Sequence, residues 1–170
     1  MNEGLTAKYA VGGAFGALFY LEPTETEDID IFIHLEPALG KLLVTIEPFL
    51  DRLEELGYTE WKDDKLIVEG CPIQFVPVAK PLEIEGLTKA ERHYLTDEIS
   101  PFVFSPEYLM AMALDLLRGK DKVRLENFHR THCYDQAKLA EIFKRHNLTE
   151  RWESMLRLFR DGLSTYTPDH

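Results

Sequence analysis

Two aspartates one residue apart, Asp28 and Asp30, and two adjacent glycines, Gly12 and Gly13, have the types and spacing to do chemistry in this chain. On a strand, residues i and i+2 point to the same face, so the Asp-Ile-Asp run would present two carboxylates side by side. Carboxylates that close repel each other, and they stay ionised cheaply when a cation sits between them. Mg2+ suits such a pair, because it takes hard oxygen ligands and keeps waters that a phosphate can replace. Upstream, a Gly-Gly turn lets the backbone approach a ligand, and a helix opening there would aim unpaired N–H groups at a phosphate. A glycine turn at a helix start and a metal-binding carboxylate pair are the two halves of a nucleoside-triphosphate site.

The elements that must position these residues can be read from the periodicity. Lys8 to Val11 suits a short strand, and Ala14 to Leu21 is aliphatic enough for a helix after the glycine turn. Asp28 to Leu35 alternates polar and apolar residues, the period-2 pattern of a half-buried strand. Ile46, Phe49, Leu50, Leu53 and Leu56 fall at helical spacing before Gly57, which predicts a helix from about 46 to 56. Three short strands are expected at 58–61, 65–69 and 72–78, with Glu69-Gly70 as a hairpin turn. Gln74 and Val76 should then share one face, with Ile73 and Phe75 on the other.

The character of the chain changes near residue 105. Ser105-Pro106-Glu107 combines an N-cap serine, a first-turn proline and a first-turn carboxylate. The helix it opens should break at Gly119, with further helices at about 121–130 and 135–146. A last one carries Trp152, Met155, Leu156, Phe159 and Leu163 at spacings of three and four. The fold class expected is α/β (α+β): a mixed-strand sheet with flanking helices over residues 1–104, followed by a C-terminal helical bundle over 105–170.

The run YAVGGAFGALFYLEPTETEDIDIFI resembles the signature of the nucleotidyltransferase superfamily (the DNA polymerase beta-like fold), in which a Gly-Gly or Gly-Ser turn precedes a DxD strand. It is most similar to the small prokaryotic members, including those of toxin–antitoxin systems. SPEYLMAMALDLLRGKDKVRLENF resembles their helical part, including a segment ending in Arg118, Lys120 and Asp121. The resemblance implies that Asp28 and Asp30 are catalytic and bind the metal, and that Gly12, Gly13, Thr26 and Lys120 bind the nucleotide. It also aligns Gln74 with a third catalytic carboxylate of the family, Thr24 with an arginine and Ala113 with a lysine. The activity implied is Mg2+-dependent transfer of a nucleoside monophosphate from a nucleoside triphosphate to a hydroxyl of a protein, an RNA or a small molecule. The alternative is a catalytically weak nucleotide- or protein-binding member of the same fold, antitoxin-like or regulatory.

Composition limits the rest. Lys plus Arg number 19 against 30 Asp plus Glu, a formal charge of −11 that disfavours an extended DNA footprint. The longest apolar run, Tyr9 to Leu21, falls short of the about 20 residues that span a bilayer, so no membrane partner is expected and a cytoplasmic location is. Cys71 and Cys133 match no metal spacing and are expected as buried free thiols. His129, His132 and Cys133 form HxxHC without a second ligand pair, which reads as a solvated helix end before it reads as a zinc site.

Overall fold

The computed structural model describes residues 8–23, 26–35 and 46–161. Among them the chain is mixed α/β, with a seven-stranded mixed sheet and seven helices. The elements run β1 (Lys8–Val11), α1 (Gly13–Ala17), β2 (Ile29–His34), α2 (Glu47–Glu55), β3 (Trp61–Lys62), β4 (Lys65–Val68) and β5 (Cys71–Pro77). They continue with α3 (Pro81–Thr88), β6 (Glu91–Arg92), β7 (Phe102–Val103), α4 (Pro106–Leu116), α5 (Gly119–Thr131), α6 (Gln136–Arg145) and α7 (Thr149–Arg160). Thr24 and Leu163 lie outside the described residues.

The sheet order is β3-β4-β5-β2-β1-β7-β6. β2 pairs parallel with β5 and antiparallel with β1, and β1 pairs parallel with β7. Alternation along β2 divides the two faces. Ile33 packs with Phe49 and Leu53 of α2 and with Leu66, while Phe32 meets the Phe104 ring edge-on at 5.0 Å on the opposite side. Asp30 shares the Phe32 side by the period-2 rule. Phe75 packs on Phe49, so Gln74 lies opposite, on the Asp30 side.

The hairpin at Glu69-Gly70 forms with φ of 51° and 81°, the two positive values a tight hairpin turn demands. Gly57 ends α2 at φ 95°. Met110, Met112 and Met155 are buried in a core that runs without interruption from Ala10 and Phe104 through α4 to Leu125, Phe128, Ile142 and Phe143. α4 is the hub of that core: nine of its eleven residues are buried.

Several expectations are corrected. β2 begins at Ile29, so Asp28 immediately precedes the strand. α1 is shorter than the expected 14–21, stopping at Ala17. The break after α4 falls at Leu117, which is left-handed at φ 52°, and Gly119 instead opens α5. Ser105 sits at the N-cap of α4, yet its hydroxyl makes no capping bond; it donates to Glu107 Oε2 at 2.6 Å. Both cysteines are free, but Cys71 is exposed and Cys133 only half-buried. His129 is no solvated helix end, since its ring stacks on Phe159 and meets Trp152 edge-on, and that burial lowers its pKa.

Candidate functional site

The glycine turn and β2 meet where the chain leaves β1. The Gly12 N–H donates to the Asp30 carbonyl oxygen at 2.9 Å, which ties the turn to the strand. Gly13 follows at φ +57°, and a β-carbon there would fall on Asp30 Oδ2. Only glycine serves both needs at once. Gly12 packs against the Phe32 ring, where a β-carbon would come within 2.5 Å of it.

Asp30 is registered with Gln74 of β5, and Lys65 stands at the start of β4 beside it. Lys65 Nζ lies 2.7 Å from Asp28 Oδ2, and that bond holds the Asp28 carboxyl below its ordinary value. The cation the carboxylate pair calls for is thus partly supplied by the chain itself. Asp30 is the opposite case. Burial, with the neighbouring Asp28 charge, pushes its pKa up, against the pull of Lys120, Arg124 and Arg118. Among the described residues no donor reaches its carboxylate. Gln74 donates from Nε2 to Asp64 Oδ2 at 2.9 Å.

A cleft of about 690 Å³ opens between Asp28 and Lys65 on one side and α5 on the other. Thr26, Asp28 and Lys65 line one wall, and Lys120, Arg124 and Asn127 line the other. Ala14, Ala17, Leu18, Leu21 and Val123 give it an apolar side. The Thr26 hydroxyl donates to the Asp28 carbonyl oxygen at 3.1 Å. The α5 wall is anchored by Asp121, which is fully buried and accepts from Arg118 Nε at 2.8 Å and from an Arg124 terminal nitrogen at 3.3 Å. Lys120 makes no ion pair among the described residues.

Asp28, Asp30, Gly13, Thr26 and Lys120 are therefore brought together, with Gln74 beside them in register, while Gly12 serves the turn from beneath. Sequence reasoning missed Lys65, Arg124 and Asn127. Lys65 directly follows Asp63-Asp64 and offers only a charge-alternation signal; Arg124 lies four residues beyond Lys120, and Asn127 four beyond Val123, on one helix face. Among the described residues no group of three or more His, Cys, Asp or Glu side chains is placed to hold a metal ion. No helix among them is long and apolar enough to cross a membrane. Compared with known proteins, the chain matches no family model, and no curated protein is significantly similar to it.

Proposed function

We propose that this chain is a nucleotidyltransferase-fold protein that binds a nucleoside triphosphate with Mg2+ and transfers the nucleoside monophosphate to a hydroxyl of a protein, an RNA or a small molecule. One observation carries the reading: Asp28, paired with Lys65 and next to Asp30, lines a cleft whose other wall carries Lys120 and Arg124, the two cations that also act on Asp30, in a chain whose net charge is −11. An anion pair for a metal and a set of cations for phosphates are the two requirements of a metal–triphosphate complex. A charge-poor or uniformly acidic cleft would meet neither.

The residues fit the ion. Mg2+ is held by one or two carboxylates plus substrate phosphates, so the lack of a third carboxylate in contact is compatible with it. Asp30, whose pKa is raised by burial and by Asp28, is an anion still short of a counter-charge. When bound, the ion supplies charge neutralisation at the transferred phosphoryl group. Asp28 and Asp30 would hold it. Lys65, Lys120 and Arg124 would bind phosphate oxygens as point charges or forks. Thr26 fixes the backbone at Asp28, and Gly13 keeps the approach to Asp30 free of a side chain.

A second reading rests on Gln74. A side chain with neither charge nor basicity, and with its amide committed to Asp64, favours a protein that binds nucleotide and transfers it slowly, as a regulatory or antitoxin-like subunit would. Calorimetric titration with each of the four nucleoside triphosphates, with and without Mg2+, followed by a search for acceptor labelled from α-labelled nucleotide, separates the two. Mg2+-dependent binding with label transfer supports the first reading. Binding without transfer leaves the second, and no binding removes both.

A further inference from the structure

The cleft is lined by both charged and apolar residues. Its charged lining residues are Glu27, Asp28, Lys65, Lys120 and Arg124, while Leu18, Leu21 and Val123 give it half-buried apolar surface. A second cavity of about 380 Å³, lined by Leu21, Glu22, Pro23, Asn127, Arg130 and Thr131, adjoins it. Leu21 and Asn127 line both. Along α5 the residues facing these spaces are 120, 123, 124, 127, 130 and 131, one face of a helix at spacings of three and four. Lys120 and Asn127 are seven residues apart, about 10 Å along the helix axis. That is comparable to the reach from the phosphates to the base of an extended nucleotide.

Asn127 is half-buried, and among the described residues no hydrogen bond is made by its side-chain amide; only its backbone carbonyl oxygen accepts, from the Thr131 hydroxyl at 2.9 Å. An amide offers a carbonyl acceptor and an N–H2 donor side by side. A nucleobase edge offers the same pair in reverse, and the flat faces of a base suit aliphatic walls. Resting on the nucleotide reading above, we propose that the base lies between Leu18, Leu21 and Val123, and that Asn127 reads its hydrogen-bonding edge. Asn127 is then the specificity-determining residue of the site, about 10 Å along α5 from Lys120 and one turn beyond Arg124.

The test compares nucleotides with a ligand that has no base. The wild type, Asn127→Ala and Asn127→Asp are titrated with inorganic tripolyphosphate and with the four nucleoside triphosphates, all as Mg2+ complexes. Alanine is the strongest helix former, so Asn127→Ala keeps α5. The wild type should bind its preferred nucleotide about tenfold or more tighter than tripolyphosphate. Asn127→Ala should lose most of that advantage, roughly tenfold, and leave tripolyphosphate unchanged. Asn127→Asp presents acceptors only, so the ranking should move towards guanine, whose N1–H and N2–H are both donors. The base subsite is overturned if tripolyphosphate binds as well as any nucleotide, or if both variants keep the wild-type ranking. If tripolyphosphate itself fails to bind, the phosphate site falls and the base subsite with it.

Discussion

Glu107 of α4 and Asp30 of β2 are both carboxylates withdrawn from water, and their surroundings push them in opposite directions. Glu107 is the more deeply buried, at 4% exposure. Burial alone would raise its pKa, but the Ser105 hydroxyl, the Asp135 N–H at 2.9 Å and Lys138 at 3.0 Å outweigh that and hold it below the ordinary range. Glu85 of α3 behaves likewise: Arg145, His146 and the Tyr108 hydroxyl overcome burial and bring it down to about 2. Asp30, half-buried and beside the Asp28 charge, lacks such donors and is raised. Hydrogen-bond and charge partners outweigh burial at Glu107 and Glu85, whereas at Asp30 burial prevails. The helical half satisfies its carboxylates within the chain, and the sheet face leaves one for something else.

The contrast can be broken or sharpened by substitution. The largest effect is expected at Asp121. Asp121→Ala removes the partner of Arg118 and of the largely buried Arg124, and should destabilise by about 3 kcal/mol in urea unfolding. A loss below about 1 kcal/mol would mean that this carboxylate is not the anchor of the α5 wall. Gly13→Ala should follow, at about 2 kcal/mol, because the methyl group meets Asp30 and the residue sits at φ +57°. Asp30→Asn, by contrast, should be neutral or stabilising by up to about 1 kcal/mol at pH 7 without metal, since it relieves a desolvated charge beside Asp28. A marked loss there would show that Asp30 is satisfied after all.

Acid should act on the two regions with opposite signs. Glu85 has a folded pKa of about 2, below its unfolded value of 4.5, so its contribution is complete above about pH 5 and fades as pH falls towards 2. Asp30 is raised above its unfolded value of 3.8, so lowering the pH through its folded pKa relieves a penalty. The stability gained by Asp30→Asn should therefore shrink below that pKa. The stability lost by Glu85→Gln, on the order of 1 kcal/mol at neutral pH once solvent screening is allowed for, should shrink as well. Chemical unfolding between pH 7 and 2 measures both. The smallest effect is expected from the metal alone: Mg2+ should raise the melting temperature of the wild type by a few degrees and that of the Asp28→Asn, Asp30→Asn double variant by less. Equal shifts would remove Asp28 and Asp30 as ligands.

Local chemistry made part of this legible in the sequence. Glu69-Gly70 marked the hairpin, alternation along β5 separated Gln74 from Phe75, and the helix expected from about Asp135 opens with that residue as its N-cap, accepting from the Ala137 and Lys138 N–H groups. The stretch from Pro81 to Val103 was not read, although Pro81 with Glu83 two residues on marks the opening of α3, where the Glu83 carboxylate accepts the Lys80 N–H at 3.1 Å. What no local pattern carried is the approach of separate elements. Lys65 reaches Asp28 only because β4 and β5 form a hairpin beside β2. Ser105 looked like a cap and instead serves Glu107, because both are buried against α6, where Lys138 reaches the serine oxygen at 3.3 Å. Arg124 and Asn127 face the cleft because Leu117 redirects the chain between α4 and α5.

The pairing of Val11 with Val103, and of the Phe104 N–H with the Val11 carbonyl oxygen at 3.1 Å, fixes an order of assembly during synthesis. β1, β2 and the glycine turn leave the ribosome early and can close on each other at once. The other edge of β1 stays unpaired until β7 emerges, and the α5 wall emerges later still. An emerging chain thus builds its acidic wall first and carries it, beside an open strand edge, until β7 and then α5 have emerged. Pausing between residues 35 and 103 would lengthen that exposure, whereas pausing after α5 would not.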